Sequence, residues 1–160
     1  MPTSGAGRAP RTSAARVAAL VGVLGGVLAP GACDAQPEPE ATVEVGDAVF
    51  VVELATSVAE QKEGLAGRTE VPAGTGMLFP FPERAEHQMW MAGMEVPVDV
   101  AWIDGDRVVG VATLDPCTEH DQTTCPRWAA PGPATALLEV RAGALRDVDP
   151  GDEIEVREPA

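Results

Sequence analysis

The chain has 160 residues, 45% of them hydrophobic, which allows one packed domain with a short appendage and excludes a wholly disordered polymer. Formal net charge is −14, from 25 acidic and 11 basic side chains, and Lys62 is the sole lysine. A field of that sign repels phosphate backbones and anionic head groups, so nucleic acid is excluded as an expected partner; its plain meaning is a solvated acidic surface.

The first 33 residues read as an address. Arg8, Arg11 and Arg16 are the only charges before Cys33, and the apolar run Val17 to Ala29 follows them. That run is well short of the roughly 20 residues that span a bilayer as a helix. A basic flank, a short apolar core and the small residues Pro30-Gly31-Ala32 describe a secretory signal. Cys33, straight after Gly-Ala, resembles a bacterial lipobox cysteine, although Pro30 stands where that pattern has Leu. Lipidation of Cys33 would anchor an exported protein to the outer side of a bacterial membrane, in the cell envelope. The alternative is ordinary cleavage after Ala35 and plain secretion. Residues 34–40 alternate Pro and Glu, which cannot pack a core and reads as a tether.

Residues 41–160 form the domain. Ala41–Val45 and Ala48–Leu54 alternate β-branched residues around Gly46-Asp47, which predicts a hairpin. Ser57 and Glu60 have capping-box spacing, predicting a short helix that stops near Gly64. Met77-Leu78-Phe79 reads as a short strand ended by Pro80 and Pro82, and Gln88–Met91 and Val96–Ile103 as two more. Asp104-Gly105-Asp106 turns the chain into Arg107–Leu114. A Cys- and Pro-rich loop, Asp115 to Pro133, leads to a strand at Ala134–Val140. Ala142–Val148 is a possible second helix, and Glu153–Val156 a closing strand. The fold class is therefore β-rich α+β: a compact, mostly antiparallel sheet or partly closed barrel with one or two short helices.

Several segments in this order resemble the domain of unknown function 192 family. They are Gly64-Leu65-Ala66-Gly67-Arg68, Gly76-Met77-Leu78-Phe79, Trp90-Met91 with Pro97 and Asp99, Asp104, Cys125-Pro126, Leu138-Glu139-Val140 and Gly151-Asp152-Glu153-Ile154. The resemblance implies a small β-rich domain, often behind a signal peptide, and brings no settled activity. Ala66 replaces the family's usual Met, and Gly93-Met94 replaces its Asn-Thr.

Four groups of residues offer chemistry. With Cys33 lipidated or removed, Cys117 and Cys125 remain as an even pair in an oxidising compartment and are expected to be bridged; the rival is zinc on both with His120. His87, Met89 and Met91 alternate along a strand and, with Met77 and Met94, would suit copper(I), a soft ion; the rival is that Met simply fills a core. Arg68, Trp90 and Asp99 are expected to line a ligand groove, Trp90 stacking on a sugar or peptide while Arg68 and Asp99 supply directional hydrogen bonds. The rival there is an Arg68–Asp99 ion pair with Trp90 in the core. Asp99 and Glu139 would be the carboxyls of a hydrolase, but no nucleophile elbow, phosphate loop or zinc-protease motif accompanies them. The leading expectation is a non-catalytic, lipid-anchored envelope module that binds a carbohydrate or an envelope protein without a cofactor. Copper handling is the alternative.

Overall fold

In the computed structural model, residues 40–158 are described. The expected signal, Cys33 and all of the tether but Glu40 lie outside them.

Nine strands and one short helix make up the domain. β1 (Glu40–Val45) and β2 (Ala48–Leu54) form the expected hairpin, with Gly46 at φ 55° in the turn. Helix α1 (Val58–Glu63) has the full capping box: the Glu60 amide donates to Ser57 Oγ, and the Ser57 amide donates to Glu60 Oε2. β3 (Thr75–Ala85) returns parallel to β2, the one parallel pairing of the main sheet. β4 (Gln88–Trp90) follows, then the hairpin of β5 (Val98–Asp104) and β6 (Arg107–Leu114). β7 (Arg127–Ala129), β8 (Ala134–Arg141) and β9 (Ile154–Arg157) complete the domain.

Seven strands join in the order β6-β5-β8-β3-β2-β1-β9, while β4 and β7 pair separately. The main sheet curls until its edges meet. Arg107 and Glu153 form an antiparallel bridge, the Val108 amide donates to the Asp152 carbonyl at 3.0 Å, and the Ile154 amide donates to the Asp106 carbonyl at 3.0 Å. Inside the curl lie Val43, Phe50, Val52, Leu78, Ile103, Leu138, Val140 and Leu145. A second apolar cluster covers the outer face of β3, β8 and β5: Met77, Phe79, Val98, Val100, Trp102 and Leu137, roofed by Leu65, Met89, Met91 and Met94. Period-two alternation thus supplies two cores, one on each face of the central strands.

The elements differ from expectation in four places. Pro80 and Pro82 do not end β3; a register shift between Pro80 and Ala85 absorbs both rings where no ladder amide is needed. β5 starts at Val98 because Pro97 has no amide to offer. Ala142–Val148 is a chain of turns, pinned to the sheet by Asp99 instead of continuing as a helix. The Cys-rich loop holds a short 3-10 turn at Gln122–Thr124 as well as β7, which pairs with β4.

Cys117 and Cys125 are bridged, closing a loop of sequence separation 8. The bridge commits both thiols that a zinc site would need. Gln122 in the same loop accepts from the Gly93 amide at 2.7 Å, fastening the loop to the turn after β4. Chain-entropy reasoning puts the stabilisation from a loop of this size at about 2–3 kcal/mol. Replacing both cysteines by serine is expected to lower urea-unfolding stability by that amount. An unchanged midpoint would mean that Gln122 alone holds the loop.

Candidate functional site

The outer cluster does not close completely. Between α1, the end of β3, the β4–β7 ladder and the outer face of β8 lies an open groove of about 300 Å³. Its helical wall is Gln61 to Leu65. Gly64 ends the helix at φ 52°, ψ −134°, a conformation suited to glycine, and lies against the Phe79 ring, where an added Cβ would sit 3.4 Å from Cζ. Phe81 and His87 stack face to face across the β3–β4 turn, with centroids 3.7 Å apart. His87 Nε2 lies 2.8 Å from the Glu83 carbonyl, which can only accept, so the proton is on Nε2. Trp90 is half-buried at the lip. Its cross-strand partner Arg127 lays its guanidinium over the ring, 4.2 Å from the centroid.

Glu139 lies on the floor. It is 6% exposed, and among the described residues no group donates to its carboxyl. Every enclosed side-chain polar atom there has a partner, so the Glu139 oxygens are atoms that reach the groove. The rim carries Lys62, Glu63, His87 and Arg127, yet burial alone pushes the Glu139 carboxyl up, to about 7. Among the described residues no cation is close enough to offset that burial.

The expected Arg68, Trp90 and Asp99 surface is not one site. Trp90 borders the groove. Arg68 lies in a separate depression against Met77, where it makes a bidentate pair with Glu53: Nη1 to Oε1 at 2.7 Å and Nη2 to Oε2 at 2.5 Å. The hydrogen bond from Arg68 holds the Glu53 carboxyl below its ordinary range. Asp99 is 2% exposed on the other face of the sheet. Its Oδ1 accepts from Thr113 Oγ1 at 2.7 Å and its Oδ2 from the Leu145 amide at 2.8 Å. An Arg68–Asp99 ion pair is therefore not formed, because each side chain has a nearer partner. Asp99 and Glu139 cannot act as a carboxyl pair either. Asp99 is opposite Val140 and Glu139 opposite Val100, so the two acids project from opposite faces. Of the expected thioether site, Met89 and Met91 are packed in the outer core, while His87 is engaged with Phe81 and Glu83. Among the described residues, no cluster of three His, Cys, Asp or Glu side chains is arranged to hold a metal. Phe81 and Lys62 were invisible as groove residues in the sequence, since α1 and the β3–β4 turn meet only in the fold.

This architecture is that of a small curled-sheet domain with a lined, open groove on its outer face. The chain belongs to the DUF192 family, described as Uncharacterized ACR, whose model matches residues 41–156. Among solved structures it is similar to a protein of unknown function from Novosphingobium aromaticivorans DSM 12444. The two are 30% identical, with 81% of this chain and 94% of that one covered and a TM-score of 0.66. A candidate transcription regulator from Sinorhizobium meliloti 1021 is 24% identical, with 76% and 97% covered and a TM-score of 0.65, a likeness of fold alone. No curated protein matches the chain.

The raised carboxyl has a consequence for stability. Between the ordinary value of 4.5 and about 7, the folded chain keeps a proton on Glu139 that the unfolded chain has released. Stability from this group is therefore whole below 4.5, falls as pH rises through that window, and stays down above it, by about 3 kcal/mol. Glu139→Gln removes the ionisation. Urea melts should show the variant close to wild type at acid pH and more stable by about that amount at alkaline pH. A stability difference that ignores pH would place a charged partner beside Glu139.

Proposed function

We propose that this protein is an exported binding module, anchored to the outer side of a bacterial membrane by lipid on Cys33, and that its ligand site is the groove over Glu139. The observation that carries the reading is an almost fully buried carboxyl, without a partner among the described residues, on the floor of an open, aromatic-walled groove. Burying such a group costs free energy unless something bonds to it, and persistent local cost of this kind accompanies function. The volume of about 300 Å³ suits a small molecule, the lower end of the usual range for ligand sites. Of the two expected ligand classes, it favours a carbohydrate-sized ligand over an envelope protein. Trp90 offers one face only, since Arg127 covers the other. The opposed orientations of Asp99 and Glu139 support binding over hydrolysis by that pair.

Two measurements test the two halves of this reading. Expressed in its host, the protein should partition into detergent and Cys33→Ser should release it; a soluble, unmodified mature chain would remove the anchor. Thermal shifts against a panel of monosaccharides, amines and small carboxylates should find a stabilising class. Ligand at about 100 times Kd adds about 2.7 kcal/mol, and the gain should vanish in both Trp90→Ala and Glu139→Gln. Stabilisation that survives both substitutions would move the site elsewhere.

A further inference from the structure

We infer that the groove ligand carries a primary ammonium group, which sits on the Glu139 carboxylate while its apolar stem lies along Phe81 and Trp90. This rests on the groove being the binding site and specifies its chemistry. Among the donors that border the groove, two are committed to carbonyls and a third is held against a ring. Gln61 Nε2 donates to the carbonyls of Ala55 and Pro80, His87 Nε2 donates to the Glu83 carbonyl, and Arg127 lies over Trp90. Lys62 is exposed on the last turn of α1, with Glu63 beside it. Among the described residues nothing donates to Glu139, whose oxygens reach the groove.

A ligand that satisfies the ionised carboxylate must bring hydrogen, and a cation brings charge as well. Charge-assisted hydrogen bonds are roughly twice as strong as neutral ones and gain further where water is excluded. The aromatic faces of Phe81 and Trp90 suit the same ligand, since π faces attract cations and the stem buries apolar surface. The field of a chain carrying −14 draws cations toward it and repels anions. The groups that face Glu139 around the groove are Lys62 and Glu63 from α1, His87 from the β3–β4 turn and Arg127 from β7; none of them forms an ion pair with it. Binding an ammonium therefore ionises Glu139 and releases its proton to solvent. A neutral ligand leaves the proton in place.

The probe is benzylammonium, compared with benzyl alcohol, in calorimetric titrations of the full-length protein purified from its host in detergent. Benzylammonium is expected to bind at about millimolar Kd and benzyl alcohol about tenfold more weakly or worse. Titration in two buffers of different ionisation enthalpy should show about 0.9 proton released per ammonium bound at pH 6 and about 0.1 at pH 8. Glu139→Gln should erase the preference, and the proton count on wild type stands as evidence even if that variant misfolds. Equal affinity for the two probes, a preference that survives Glu139→Gln, or no proton release at pH 6 would overturn the ammonium. If benzyl alcohol binds and Trp90→Ala weakens it while benzylammonium binds no better, the groove stands as the site and only the ammonium fails. If neither probe binds at about ten times the expected Kd, the ammonium and the groove reading fall together.

Discussion

The backbones of β3 and β8 touch at Gly76, and much of the domain follows from that contact. A Cβ added to Gly76 would lie 2.3 Å from the Glu139 carbonyl oxygen and 2.8 Å from Val140 Cγ1. No side chain fits there, so the two central strands meet closely in one register, Gly76 opposite Val140 and Met77 opposite Glu139. Alternation then distributes everything else. Leu78, Leu138 and Val140 point into the curl; Met77, Phe79, Leu137 and Glu139 point outward. Slipping β8 by one residue would drive the carboxyl into the interior among Val43, Phe50 and Val52, at a cost that the apolar core cannot offset. The register that fills the barrel is thus the register that puts an acid under the groove.

The groove walls depend on a second set of constraints. They come from segments far apart in sequence, and short-range devices fix each one: the capping box on α1, the Gly64 cap against Phe79, the β4–β7 ladder and the disulfide loop. Two hydrogen bonds join these pieces across the outer face. The Gly67 amide donates to the Gly93 carbonyl at 2.8 Å, and the Gly93 amide donates to Gln122 at 2.7 Å. Gly93, at φ 75°, links the turn after the helix to the disulfide loop through its backbone, where the family pattern has a polar side chain.

What could be read from the sequence was what is local. Ser57 and Glu60 announce the helix because a capping box is complete within one turn, and Gly46-Asp47 and Gly105-Asp106 announce hairpins because a turn closes on its own residues. β7 was missed because its three residues are a strand only by virtue of β4, about forty positions earlier. Pro80 and Pro82 read as breakers because proline costs a ladder amide, and nothing local reveals that β3 twists out of register there. The candidate site failed for the same reason. Arg68, Trp90 and Asp99 are each near a turn, but their partners Glu53, Arg127 and Leu145 are set by topology. Trp90 alone carried through to the groove. Glu139 was visible as a charge in the apolar run Ala134 to Val140 and as a candidate carboxyl with Asp99, but which face it would occupy required both neighbouring strands.

Asp99 and Glu139 separate structure from function more sharply than any motif does. Both are acids on adjacent central strands, both are buried, and they differ by one step of the pleat. The step toward the interior gives Asp99 a hydroxyl and an amide, which fasten the 142–148 turns over the barrel mouth and leave neither oxygen without a donor. The step outward gives Glu139 desolvation and nothing else. The remaining surplus of acid is handled by arginine at the surface, in the pairs Arg84–Asp104 and Arg157–Glu44, or left to water. A chain with so few cations has still placed three of them, Lys62, Arg127 and Arg68, near the outer face without bringing any to Glu139. Where an internal partner was needed the fold supplies one, as at Asp99; at Glu139, among the described residues, it supplies none.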